Sequence, residues 1–236
     1  MSKLFLRAIS LLLLFFTFKA QVFSQQIATP KLGNWQMLFS QMRIKEKWSI
    51  HTEAQFRDYK IFLEPEQILL RVGINYHHSP NVLFTGGYAR VFNFPFDNEI
   101  MQNSSFSENR LWQQIILRNN VERIIFEHRY RLEQRFLKSK NSTTYLNRIR
   151  YLVRLTIPLN SEKVEKKTLF LSFYDELFIH LSPTPFDRNR LYGAMGYQLL
   201  ENSNLQAGYL AQTIGTVTKS YFQLALFYNF DLRKRE

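Results

Sequence analysis

The chain has 236 residues, no cysteine, and 31 basic against 19 acidic residues, giving a formal charge of +12 and a pI near 9.9. The lack of cysteine excludes disulfides, thiol metal sites and a lipid-anchoring thiol. The length suits one domain, since β-barrels commonly run 200 residues or more as a unit.

The first two dozen residues read as a secretory signal peptide, residues 1–24. Lys3 and Arg7 precede an apolar run from Ala8 to Phe18, and Val22-Phe23-Ser24 makes a small-residue exit before Gln25. The run is too short to cross a bilayer comfortably. Its removal leaves 28 basic and 19 acidic residues, +9, in a single domain over residues 25–236. An exported chain seldom meets nucleic acid, so the basic balance needs another explanation.

The rest of the chain alternates. Asn34 to Ile44 places Trp35, Met37 and Phe39 on one face, and Lys45-Glu46-Lys47 turns it. From Trp48 to Arg57, Ile50, Thr52, Ala54 and Phe56 oppose His51, Glu53, Gln55 and Arg57. Gln67 to Tyr76 sets Ile68, Leu70, Val72 and Ile74 against Arg71, Gly73 and Asn75, and His77 to Asn81 reads as a tight turn. Val82 to Phe92 is strand-like, but Gly86-Gly87 leaves its register open. Asn93 to Ser107, with Phe94, Pro95, Phe96 and Phe106, reads as a long loop. Glu108 to Arg118 sets Leu111, Ile115 and Leu117 against Glu108, Arg110 and Gln114.

The clearest stretch runs from Arg123 to Phe136. Its odd positions carry Arg123, Glu127, Arg129, Arg131, Glu133 and Arg135, and its even positions Ile124, Phe126, His128, Tyr130, Leu132 and Phe136. Strand side chains alternate between faces, so one face is charged and the other largely apolar. At about fourteen residues it far exceeds an ordinary strand of roughly five or six. Strands over Thr144 to Ile157, Thr168 to Phe178, Arg190 to Leu200, Leu205 to Thr213 and Ser220 to Asp231 follow, with a second long loop over Ser182 to Asn189 that carries Phe186.

Eleven strands are readable. Single-chain bacterial barrels carry even numbers, so the expectation is an all-β, antiparallel transmembrane β-barrel of about 12 strands, with 10 the next choice. All eleven lysines after the signal (Lys31, Lys45, Lys47, Lys60, Lys138, Lys140, Lys163, Lys166, Lys167, Lys219, Lys234) fall outside these strands, whereas most arginines fall within them. A planar guanidinium pairs with carboxylates and stacks on rings in a confined space. An arginine against lipid at the bilayer midplane costs about 2 to 4 kcal/mol. The charged face is therefore assigned to the lumen: Glu53, Arg57, Arg71, Glu108, Arg110, Glu127, Arg129, Arg131, Glu133, Arg135, Arg148, Arg150, Arg154, Glu176 and Arg190. Trp35, Trp48, Tyr76, Tyr145, Tyr197, Tyr209 and Tyr228 are expected at the two interfaces, with His128 on the lipid face.

The final strand, Gln223-x-Ala225-x-x-Tyr228-x-Phe230, resembles the polar, small, aromatic, aromatic ending recognised by the barrel assembly machinery, with alanine where glycine is usual. Asn109 to Gln114, His128 to Phe136, Arg148 to Tyr151, Tyr174 to Phe178 and Phe186 to Leu191, with Gly86-Gly87-Tyr88 and Gly196-Tyr197, resemble the domain-of-unknown-function family numbered 2490. That resemblance implies a bacterial outer-membrane barrel with no assigned activity, and it supplies no catalytic or binding residue.

Three functions stay open. A passive channel with an arginine-rich lumen passing small anionic solutes leads. A closed structural or adhesive barrel follows, its lumen plugged by paired charges and its outer loops functional. A lipid hydrolase needs an exposed nucleophile with a histidine in reach, and none of His51, His77, His78, His128 and His180 has an evident serine partner on the outward face. No catalytic, cofactor or metal residue is assigned, and the partners expected are outer-membrane lipid and the assembly machinery.

Overall fold

The computed structural model describes residues 32–94, 106–139 and 142–233. The signal segment, the centre of the Asn93 to Ser107 loop with Phe96, the side chain of Phe106, and Lys31, Lys140 and Lys234 lie outside the described residues.

Among the described residues eleven strands form one closed barrel: β1 Gly33–Lys45, β2 Trp48–Lys60, β3 Leu63–Ser79, β4 Val82–Asn93, β5 Phe106–Val121, β6 Ile124–Lys138, β7 Thr143–Pro158, β8 Leu169–His180, β9 Phe186–Leu200, β10 Ser203–Ile214 and β11 Val217–Asp231. Each pairs antiparallel with its neighbours in sequence, and β1 closes on β11 in parallel, Leu38 facing Leu226. The expectation of about 12 antiparallel strands is corrected on both points. An odd number sends the first and last strands the same way, and their direct pairing leaves no gap for a further strand.

One end of the barrel carries mostly two-residue turns, Glu46–Lys47, Pro80–Asn81, Glu122–Arg123 and Glu201–Asn202, together with the end of β11. The ten-residue connection after β7 also lies at that end; the other carries the connections after β2, β4, β6, β8 and β10, and the beginnings of β1, β9 and β11. Glu122 adopts φ 54°, the sign that two-residue hairpins between right-twisted strands require. The proposed turn at His77 to Asn81 is shorter than expected: β3 runs on to Ser79, and only Pro80–Asn81 turns.

The outer face is apolar along the whole circumference. Leu70, Val72, Ile74, Phe84, Leu111, Ile115, Tyr130, Leu132, Ile149, Phe173, Leu191, Met195 and Phe222 are all exposed there. Aromatic pairs stand near the strand ends, Trp48 against Tyr76 at 5.0 Å and Phe136 against Tyr145 at 5.1 Å. Trp35 is the exception to the expected girdle, because β1 turns its aromatic face inward and buries Trp35 against Tyr221. Lys219 is inside β11 and lines the lumen, and Lys45, Lys60 and Lys138 are the last residues of β1, β2 and β6, so the expectation that every lysine lies outside the strands is corrected.

The open register at Gly86-Gly87 resolves sterically. A Cβ on Gly87 would stand 2.8 Å from the Trp112 ring and 2.2 Å from the Val72 carbonyl, whereas one on Gly86 meets nothing within 4 Å. Gly87 faces the lumen so that Trp112 can lie flat on the wall.

Candidate functional site

The lumen is a lattice of guanidinium and carboxylate. At its centre Glu133, from the middle of β6 and 0% exposed, accepts from Arg148 Nε at 3.0 Å and Nη2 at 2.5 Å, and from Arg150 Nη1 at 2.7 Å. Arg71 of β3 and Arg131 of β6 stand 3.8 and 3.9 Å away. Glu176 of β8 takes Arg129 at 2.7 Å and Arg150 at 2.6 Å, with Arg190 at 3.8 Å. Glu108 of β5 receives two hydrogen bonds from Arg110 and two from Arg135. Glu53 of β2 is bonded by Arg71 and Gln55.

Several of these contacts leave the ladder. Arg71 to Glu133 joins β3 to β6, Arg129 to Glu176 joins β6 to β8, and Arg148 to Asp187 at 2.7 Å joins β7 to β9. Inward-facing charges of a tilted, curved sheet converge on the axis, so partners distant along the sheet meet. Desolvated ion pairs of this kind stand only because each carboxylate has two or more donors.

Aromatic faces support the arginines alongside the carboxylates. Arg71 and Arg131 lie over Trp112 at 5.3 and 4.8 Å, Arg150 and Arg190 over Phe178 at 4.3 and 4.6 Å, and Arg154 over Tyr174 at 5.4 Å. Such contacts contribute about 0.5 to 2 kcal/mol each, more where water is excluded.

Of the fifteen residues assigned to the lumen, thirteen line its cavity, Glu133 is buried beside them, and Glu127 pairs with Arg154 at 3.7 Å near the short-turn end. Missing from that set were Asp187 and Arg188, read as loop residues, and the rings of Trp35, Trp112, Tyr174, Phe178, Tyr192 and Tyr221. Trp112 shares its parity with Arg110 and Gln114, a signal available in the sequence. Glutamines also belong: Gln114 accepts from Arg131 at 2.6 Å and Gln212 from Arg190 at 2.8 Å.

The lumen holds a cavity of about 570 Å³ lined by residues of every strand; β10, β11 and β1 contribute Gln206, Lys219, Gln223, Phe227, Trp35, Met37 and Phe39, of which only Lys219 is charged. It reaches from Tyr59, Phe94 and Lys219 at the long-loop end past the middle of the barrel to Phe39 and Phe227, which stack at 4.7 Å. Eleven arginines and Lys219 line it, against Glu53, Glu66, Glu108 and Glu176.

Near the short-turn end a hydrogen-bonded chain runs along the wall. Thr85 donates to Asn75 at 2.7 Å, Asn75 to the Ser49 hydroxyl at 3.0 Å, and Ser49 then has its proton for His77 Nε2 at 2.8 Å. His77 lies near the end of β3. Ser49 is 1% exposed, so this serine–histidine pair stands behind the wall's own packing. His128 is outward and bonds the Tyr151 hydroxyl at 2.9 Å. Among the described residues no group of three or more His, Cys, Asp and Glu side chains is arranged to hold a metal.

In the final strand, Gln223 and Ala225 face the lumen, and Tyr228 and Phe230 meet edge to face outside at 4.5 Å. The model of the family described as "Protein of unknown function (DUF2490)" matches residues 32–223. No curated protein and no solved structure matches the chain.

Proposed function

This chain belongs to the DUF2490 family of unknown function, and we propose that it is a bacterial outer-membrane barrel whose narrow, arginine-lined lumen passes small anionic solutes. The membrane reading is supported by the belt of exposed Leu, Ile, Val and Phe on every strand and by strands of 12 to 17 residues, longer than the roughly 9 to 11 needed to cross a bilayer. Export by the N-terminal signal and insertion through Gln223, Ala225, Tyr228 and Phe230 belong to the same reading, with outer-membrane lipid as the surrounding partner.

One observation carries the solute preference: twelve basic against four acidic residues line the cavity. A pore walled by low dielectric amplifies such an excess, attracting anions and repelling cations. The arginines are fixed by the lattice, so the field is built before any solute arrives.

A second reading, the closed barrel, is favoured by the complete burial of Glu133 and by ion pairs that bridge strands β3 to β6 and β7 to β9. Single-channel recording in a planar bilayer under a salt gradient separates the two. Small, steady, anion-selective openings are expected, with selectivity reduced in Arg129→Gln. Silence from a barrel shown to be folded refutes the passage and leaves the plug.

The reading includes no catalysis. Ser49 and His77 come nearest to a nucleophile and base, but their contacts are those of a packed polar wall. Phospholipid cleavage by the folded protein, abolished in Ser49→Ala, would overturn this.

A further inference from the structure

We propose that Arg57 and Arg190, gathered over the indole of Trp35 at the long-loop end of the lumen, form a binding site for a small oxyanion, phosphate- or carboxylate-like. The site deepens the anion-favouring reading above, resting on the arginine-lined lumen but not on its being open. Trp35 lies near the start of β1, Arg57 near the end of β2 and Arg190 in the first third of β9, so closure of the barrel brings together three residues remote in sequence.

Three observations converge. The guanidinium carbons of Arg57 and Arg190 lie 4.0 and 4.8 Å from the centre of one ring. That places them at most about 9 Å apart, a span that one tetrahedral oxyanion bridges with a bidentate contact to each.

Second, these cations lack an adequate counter-charge. Among the described residues Arg57 has no carboxylate within ion-pair distance, and its Nε and Nη2 both go to the single oxygen of Gln55. Arg190 gives Nε to Gln212, and its nearest carboxylate, Glu176 at 3.8 Å, already serves Arg129 and Arg150. Both arginines are buried, and buried charges without partners are costly. Elsewhere in the same lumen Glu108, Glu133 and Glu176 each hold two or more arginines; here the arginines outnumber the acids.

Third, the Trp35 indole nitrogen is buried without an acceptor, although all three residues line the cavity. A buried donor without a partner beside two under-neutralised guanidiniums calls for an acceptor carrying negative charge. The site faces the lumen rather than the outer belt, so its ligand is a dissolved anion and not a lipid headgroup. Glu66, lining the same cavity and accepting from Tyr221 at 3.2 Å, competes with the ligand for this field.

The test uses the folded barrel in detergent and inorganic phosphate as probe, at constant ionic strength with chloride as reference anion. Tryptophan emission, assigned to Trp35 by its loss in Trp35→Phe, should change saturably with phosphate. Apparent affinity should fall at least tenfold in Arg57→Gln and in Arg190→Gln, rise in Glu66→Gln, and stay unchanged in Arg123→Gln at the opposite end. Should Arg57→Gln fail to fold, the wild-type protein still decides: iodide should quench Trp35 severalfold more strongly than caesium. A linear phosphate response equal in wild type and variants, or equal quenching by the two ions, overturns the site. Saturable binding in a silent barrel sustains the site while refuting the passage; anion-selective current without saturation does the reverse.

Discussion

Glu133→Gln tests the lattice most directly. The substitution keeps shape and one acceptor but removes the charge that faces four guanidiniums, two in contact at 2.5 to 3.0 Å and two at 3.8 and 3.9 Å. Deleting one partner of a buried ion pair costs about 3 to 5 kcal/mol, because the surviving charges stay desolvated. The new amide also turns an N–H toward donors that have nothing to accept it. With a urea slope of roughly 3 kcal/mol per molar, the unfolding midpoint in phospholipid vesicles should fall by about 1 to 2 M. Adding Arg148→Gln should restore more than about 1 kcal/mol, since it removes one of the orphaned cations and the two sites share a contact. A loss below about 1 kcal/mol for Glu133→Gln, with simple additivity in the double variant, would refute the reasoning. It would mean that water, not the lattice, neutralises the lumen.

Gly87→Ala should cost more than about 3 kcal/mol or prevent folding, because its methyl collides with the Val72 carbonyl and the Trp112 ring, while Gly86→Ala should fold normally on heat-dependent gel mobility. Parallel closure is checked by chemistry, since the chain has no cysteine: Leu38→Cys with Leu226→Cys should cross-link under mild oxidation, and failure in a folded barrel would put another strand between β1 and β11.

How much was legible beforehand varies by residue. Arg129, Arg131, Glu133 and Arg135 announced their face through strict alternation. Their opposite numbers Tyr130, Leu132 and Phe136 announced the other, and a run this long admits no second register. Asp187 and Arg188 were hidden because Pro183 and Pro185 make the segment read as a loop, whereas β9 begins at Phe186. Lys219 was misread for a related reason: β11 begins at Val217, three residues before the alternation becomes clear. Trp35 misled in another way, since a tryptophan near a strand end fits a membrane rim and a lumen platform equally well.

The sequence by itself determined the strands, their two faces and which face is charged. Period-two alternation is a local property, and on the proposed membrane reading the cost of placing arginine against lipid sends the charged face inward. The tertiary structure alone decided the odd strand number, the parallel seam, the contacts from β3 to β6 and β6 to β8, and the meeting of Arg57 and Arg190 over Trp35. Those depend on how the sheet tilts and closes, and closure is a sum over all eleven registers that no single strand carries.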